Sequence, residues 1–395
     1  MRLIMISLDA ASQVDAEKLF SMPALRRLKE EGTLCTNVQT VYPTITYPIH
    51  SSILTGCYPE RHGIGHNQPL QCDTEPRMRA WHWDIRDIKC KTMHEAAREK
   101  GADVASILWP VTGKNPYTRR NFPEILPLPG ESAVKKMLSY ATPLWVLKTE
   151  LLHGRKRKSI RQPDLDDYAL VLMEDLLTSR KVPDFITLHL VDLDAMRHEH
   201  GVESTDAHAA MERLDKRVGR IVELTKKAGI YDDTVFAIVS DHGQQDAPNG
   251  VLLDKHLKEA GIGRAQTLGM GAYIFADDVT KAADHLRRHQ DALSIAHIYE
   301  EDELRSMHAP AHVHLAVDAK CGCCFIDREE ETRGEHGFSL QEPQAKVLML
   351  LCGAPFKKNH MLSCAHVTDI APTLSHVMGW HMPDTDGHVL HDTLL

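Results

Sequence analysis

The stretch Phe185-Ile186-Thr187-Leu188-His189-Leu190-Val191-Asp192-Leu193-Asp194 decides the fold class. It is a short apolar run that ends abruptly in carboxylates, and it reads as a strand buried on both faces. Two other runs share this form. Residues 2–8 end in Asp9-Ala10, and residues 234–239 end in Ser240-Asp241-His242-Gly243. Helical spacing fills the intervals, at residues 22–31, 91–100, 166–178, 207–228 and 369–378. Alternating buried strands and helices predict an α/β fold with a doubly wound, mostly parallel central sheet flanked by helices. In such sheets ligands gather at the carboxyl ends of strands. Three strand ends carrying Asp or Asp-His therefore point to one cation-binding centre.

Two stretches break the rhythm. Residues 112–165 hold several prolines and one helical segment near 133–151. Residues 258–330 alternate short strands with a helix near 279–290. Both read as insertions forming a smaller cap that shapes the substrate pocket. The expected organisation is one catalytic domain over 1–395 carrying these two insertions. The sequence has no internal repeat and no low-complexity tract.

Composition narrows the function. The 395 residues are 43% hydrophobic and 26% charged, ordinary globular values. A formal charge of -9 argues against a nucleic-acid polymer as partner. The run Arg155-Lys156-Arg157-Lys158 reads as a solvated helix end. Residues 1–9 are too short an apolar run for a signal peptide, and no run approaches membrane-spanning length. The expectation is a cytoplasmic protein with no membrane partner. Nine scattered cysteines fit reduced thiols. Cys321, Cys323 and Cys324 lack a second pair at zinc-finger spacing, so they are read as structural or incidental.

The chemistry centres on Tyr42-Pro43-Thr44-Ile45-Thr46-Tyr47-Pro48-Ile49-His50, which runs into a helix. A helix start offers free N–H groups and the positive end of the dipole. Thr46 is read there as a metal-activated nucleophile; the plainer alternative is an N-cap. Asp194 and His198 stand four apart, with Asp192 and His200 as competing neighbours. Asp241 and His242 are adjacent, so a turn at Gly243 must aim both at one ion. His336 lies between two glycines. Three aspartates, three histidines and a threonine suffice for two divalent ions, zinc first, with manganese or iron as alternatives. Two close ions suit in-line displacement at phosphorus. Asn67 and the Thr46 N–H could donate to a phosphoryl oxygen.

At these residues the sequence resembles the alkaline phosphatase superfamily, and within it the nucleotide pyrophosphatase/phosphodiesterase group. The resemblance covers residues 3–67, about 184–243 and 334–380. It rests on Leu8-Asp9-Ala10, Pro43-Thr44-Ile45-Thr46-Tyr47-Pro48-Ile49-His50, and Thr55-Gly56-Cys57-Tyr58-Pro59 continuing through His62-Gly63-Ile64 to Asn67. It further rests on Asp194, His198 and Gly201, on Asp241-His242-Gly243, and on Gly334-Glu335-His336-Gly337. The resemblance implies an alkaline phosphatase-like fold and two ligand sets. Asp9, Thr46, Asp241 and His242 would hold one ion; Asp194, His198 and His336 would hold the other. It favours Asp194 over Asp192 and Thr46 over Thr44. It also implies that Asn67 contacts phosphate and that Tyr47 and His189 contact substrate.

Ala10 stands where the family has glycine, and Ile49 where it has asparagine. Cys57-Tyr58-Pro59-Glu60-Arg61 matches the sulfatase C-x-P-x-R pattern, but the register puts Thr46, Pro48 and His50 in those places. The implied activity is hydrolysis of phosphodiester or pyrophosphate bonds in a small phosphorylated substrate, nucleotides included, through a phospho-threonine intermediate. The alternatives are a phosphonate hydrolase similar to phosphonoacetate hydrolase, a phosphomonoesterase, or a non-catalytic scaffold.

Overall fold

The computed structural model describes residues 1–329 and 331–395. Glu330, the last residue of the second expected insertion, lies outside them. Among the described residues the main sheet has nine strands. At its centre Arg2–Leu8 runs parallel to both Phe185–Leu190 and Thr234–Val239. Val104–Ile107 and Arg120–Phe122 continue the parallel order on one side. On the other side Lys346–Cys352 runs antiparallel to Thr234–Val239 and to Gly32–Gln39.

Alternation along each central strand divides two apolar layers. Ile4, Ile6, Ile186, Leu188, Phe236 and Ile238 face one core. Leu3, Met5, Phe185, Val235 and Ala237 face the other. The first layer is closed by helices Pro23–Glu30, Asp164–Leu177 and Thr205–Lys227 through residues such as Leu28, Leu172 and Val218. The second is closed by Thr46–Thr55, Met93–Glu99 and Ile370–Met378 through Ile53, Ala96 and Leu374. Helices on both faces explain why these strands are nearly unbroken apolar runs. The fold is the expected doubly wound α/β arrangement.

Within 112–165 the single expected helix is two, Ala133–Tyr140 and Pro143–His153. Pro143 is the reason: without an N–H it suits a first helical turn and breaks an interior. Within 258–330 lies a separate antiparallel sheet of four strands, in the order Ile295–Glu300, Leu315–Ala319, Gly271–Phe275, Arg264–Thr267. One face packs on helices Leu253–Glu259 and Val279–Arg288 through Leu257, Ile274 and Leu286. The other face presents Tyr273 and Tyr299 to Tyr42 and Ile45. The small sheet therefore braces the loop that leads to Thr46. Among the described residues, no helix is long and apolar enough to cross a membrane.

Candidate active site

Thr46 is the first residue of helix Thr46–Thr55, and the N-cap is Ile45, which has no side-chain cap. The capping alternative therefore fails for Thr46. Thr44 does not cap either, because its hydroxyl donates to Phe338 O at 2.7 Å. The Thr46 hydroxyl instead lies 3.1 Å from His242 Nε2. Asn67 Oδ1 accepts from the Tyr47 N–H at 2.9 Å, which ties the Asn67 side chain to the same helix start.

The ligand-type residues fall into two groups. In each, one donor atom per residue lies within 4.8 Å of the others. The first group is Asp9, Asp241 and His242, all buried at the ends of adjacent parallel strands. Asp9 follows Arg2–Leu8 and Asp241 closely follows Thr234–Val239. Asp241 Oδ1 accepts from the Ala10 N–H at 3.2 Å. Ala10 makes this turn at a φ of 60°, the left-handed conformation for which glycine is the unstrained choice. His242 Nδ1 lies 3.2 Å from Gly243 O, which favours the N–H there and leaves Nε2 with its lone pair toward Thr46.

The second group is Asp194, His198 and His336. Asp192–His200 is helical, so Asp194 and His198 share a face, with Oδ1 3.4 Å from Nε2. Gln244 donates to Asp194 Oδ1 at 2.6 Å. His336 enters from the glycine-flanked turn, and its ring stacks on His242 at 4.0 Å, which joins the two groups. Gly337 is required for this approach. Its φ is +81°, and a Cβ there would fall 1.8 Å from Leu268 O. The competing neighbours are otherwise engaged. Asp192 is held by Arg213 at 2.7 Å and Arg217 at 2.6 Å, and His200 sits 4.0 Å from Glu199.

Electrostatics show what the centre lacks. Burial, with Asp241, Asp194 and Glu124 close by, pushes the Asp9 carboxyl well above the carboxylate range. At Asp194 burial acts upward, but the His198, His336 and His242 imidazoles hold the carboxyl below its usual value. At His198 burial acts downward, and Asp194 and Glu335 raise the imidazole to about 10. Burial, with His242 and His198, lowers His336. Among the described residues, Asp9 Oδ1, Asp241 Oδ2 and His336 Nδ1 are enclosed without hydrogen-bond partners. Buried carboxylate oxygens facing bare imidazole nitrogens are a donor set that fits divalent cations.

His189 and Tyr47 are placed differently from substrate contacts. His189 is fully buried in its strand, with Nε2 3.1 Å from Asp9 Oδ2 and Nδ1 3.1 Å from His50 Nε2. His50 in turn meets Ser7 Oγ at 2.8 Å. His189 therefore stands behind Asp9 and orients it. The Tyr47 ring is also buried, edge-on to Trp81 at 5.3 Å, and the half-buried Trp81 covers it. Cys57 follows the far end of the Thr46–Thr55 helix, about 15 Å along its axis from Thr46. Among the described residues no ligand-type group includes Cys321, Cys323 or Cys324.

Sequence reasoning missed Glu124 and the supporting part played by Gln244 and His50. Burial pushes Glu124 up to about 8, with the Tyr47 hydroxyl opposing and Asp194 and Asp241 adding. Gln244 directly follows Asp241-His242-Gly243 and His50 ends the stretch Pro43 to His50, so both positions carry a signal in the sequence. Glu124 lies in an aperiodic stretch that carries no such signal.

A family model described as type I phosphodiesterase / nucleotide pyrophosphatase matches residues 3–338. Human ectonucleotide pyrophosphatase/phosphodiesterase family member 1 is 26% identical over 247 residues, covering 60% of this chain and 23% of that protein. The chain thus spans about a quarter of that relative. Mouse bis(5'-adenosyl)-triphosphatase enpp4 is 22% identical over 410 residues, covering 100% of this chain and 81% of that protein. Among solved structures, murine ectonucleotide pyrophosphatase / phosphodiesterase 5, as an inactive threonine-to-alanine variant with AMP, superposes with a TM-score of 0.74. It is 17% identical, with both chains fully covered (100% of each), and this likeness concerns the fold.

Proposed function

This chain belongs to the type I phosphodiesterase / nucleotide pyrophosphatase family, and on that premise we propose that it hydrolyses phosphodiester or pyrophosphate bonds of small nucleotide-like substrates. The observation that carries the reading is the position of the Thr46 hydroxyl. It sits at a helix start, 3.1 Å from His242 Nε2, beside two joined groups of ligand-type side chains. The first ion would be held by Asp9, Asp241, His242 and Thr46, and the second by Asp194, His198 and His336. Bound divalent cations would lower the pKa of the Thr46 hydroxyl and neutralise charge developing on phosphorus.

Thr46 Oγ1 then attacks phosphorus in line with the leaving oxygen. An Oγ–P bond forms as the hydroxyl proton passes to solvent, the P–O bond to the leaving group breaks with the departing oxygen taking up a proton from solvent, and the threonine carries the remaining phosphoryl ester. Water attacks the same phosphorus from the opposite side. The Oγ–P bond breaks and the Thr46 hydroxyl is restored. The Asn67 amide and the Thr46 N–H donate to non-bridging oxygens, and the helix start adds its dipole. His189 and Gln244 orient Asp9 and Asp194 and touch no substrate. The mouse triphosphatase relative and the AMP-bound structural neighbour support a nucleotide as substrate. Trp81, half-buried against Tyr47, offers an aromatic surface beside the helix start on which a base could stack.

Thr46→Ala tests this directly. Hydrolysis of bis(p-nitrophenyl) phosphate by the metal-loaded protein should fall by about 10³-fold or more. Unchanged hydrolysis with retained fold would sink the nucleophile assignment.

A further inference from the structure

A third group of histidines lies outside the catalytic centre, on the helices behind the small sheet. His256 is on Leu253–Glu259; His285 is on Val279–Arg288 and His289 caps that helix. One ring nitrogen from each lies within 4.8 Å of the others. His256 Nε2 and His285 Nε2 are 3.0 Å apart, and the His285 and His289 rings stack at 4.2 Å. Two imidazoles bound tetrahedrally to one ion at ordinary zinc distances hold their nitrogens about 3.3 Å apart. His289 Nδ1 sits 2.8 Å from His285 O, so the N–H is fixed there and Nε2 keeps its lone pair. The nearby carboxylates are engaged elsewhere, Asp254 with Arg264 at 2.9 Å and Asp284 with Arg287 at 2.9 Å.

We propose that His256, His285 and His289 form a third cation site, selective for borderline transition metals of the Zn²⁺ type. Three neutral imidazoles without a carboxylate suit Zn²⁺, Ni²⁺ or Co²⁺ and exclude Mg²⁺ and Ca²⁺. Leu257 and Leu286 anchor the same helices in the small core, so the ion ties the outer layer of the sheet whose other face braces Tyr42 and Ile45. The full chain, stripped with chelator and reloaded with Zn²⁺, should hold one more ion than the His285→Gln/His289→Gln variant. Hydrolysis at saturating metal should be equal in the two. Equal ion counts overturn the site. On the unaltered chain, Zn²⁺ but not Mg²⁺ should protect all three histidines from diethyl pyrocarbonate, read by mass spectrometry. Absence of protection, or equal protection by Mg²⁺, overturns it independently of any variant.

A different observation concerns the helix Pro143–His153. It buries Trp145, Val146 and Thr149 and turns four leucines outward. Leu144 is 83% and Leu151 86% exposed, and Leu147 and Leu152 flank them on the same arc. This is the reverse of a surface helix with a polar outer face. Residues 133–161 carry eight Lys and Arg against one Glu in a chain whose formal charge is -9. Among the described residues Lys148, Arg155, Lys156 and Lys158 form no ion pair and are exposed. A second copy on this face would set like charges against each other. An exposed apolar stripe with a basic border fits an anionic lipid surface.

We infer that this face docks on anionic bilayers, which revises the reading of the basic run as a merely solvated end. The full chain should co-sediment with vesicles of phosphatidylcholine and phosphatidylserine at 7:3, and not with phosphatidylcholine alone. Leu151→Glu should weaken this by about tenfold or more, and 0.5 M salt should reverse it (about 4 Å Debye length). Activity on a soluble diester should not change. No binding to the anionic vesicles overturns the inference, as does a concentration-dependent dimer that Leu151→Glu dissolves.

Discussion

The two ligand groups are built from different parts of the fold and carry different charge. Asp9, Asp241 and His242 follow adjacent parallel strands, fully enclosed and backed by buried imidazoles. Asp194, His198 and His336 come from a helix face and a glycine-flanked turn, and all three are half-buried. The first group sets two buried carboxylates against one imidazole, with Asp9 pushed up by burial and by Asp241. The second contains an ion pair of its own, Asp194 below and His198 above their ordinary values. Strand ends thus provide a rigid frame that lacks a counter-charge, whereas the helix and turn provide one that a proton already satisfies. A cation at the first group displaces the proton that burial holds on the Asp9 carboxyl; at the second it displaces the His198 proton.

Substitutions should separate the two. Asp241→Asn, in contact with His242 and the Ala10 turn, is expected to lower kcat/KM by about 10³-fold or more. His336→Ala should cost about 10²-fold, measured with an aryl diester at saturating metal. The reverse order would break the comparison. A smaller effect is expected from the support of one group alone. Gln244→Ala should weaken binding of one ion by about 10- to 100-fold and leave the other in place, read by metal titration. Equal loss of both ions would mean that the groups behave as one.

The smallest effect is the pH dependence of the metal-free chain. His198 titrates near 10 in the folded chain, above the ordinary value of 6.5, and Glu124 near 8, above 4.5. Both are raised, so each contributes stability that is complete below its unfolded value and is lost as pH rises through the folded one. The metal-free Tm should therefore fall between about pH 4.5 and 8 on account of Glu124, and between about 6.5 and 10 on account of His198. The free-energy slope is at most about 1.4 kcal/mol per pH unit for each. Glu124→Gln should flatten the lower window and His198→Gln the upper. A Tm that rises with pH across these windows contradicts both shifts.

The strand-end logic was legible because it follows from sheet geometry. Apolar runs ending at Asp9 and Asp241 needed nothing beyond the period and polarity of the chain, whereas Asp194, expected at a third strand end, lies on the helix Asp192–His200 that follows one. The gathering of His336 with His198 and His242 depends on a close approach over Leu268 that single residues do not announce. His189 faces substrate only if the alternation of its strand is ignored. It shares parity with Phe185 and Thr187, which puts it in the layer with His50. The break at Pro143 was visible in principle, since a proline cannot continue a helix from the preceding turn. Glu124 depends on how an aperiodic stretch folds back over Tyr47, and no local pattern records that.

The central claim is that Thr46 becomes covalently linked to phosphorus. Acid quenching of the metal-loaded protein during turnover of a dinucleotide, followed by peptide mass spectrometry, tests it most directly. The account predicts a nucleoside monophosphoryl group on Thr46 in the peptide that contains it, absent from Thr46→Ala. Rapid turnover with Thr46 unmodified at every quench time, or the group on another residue, would contradict it.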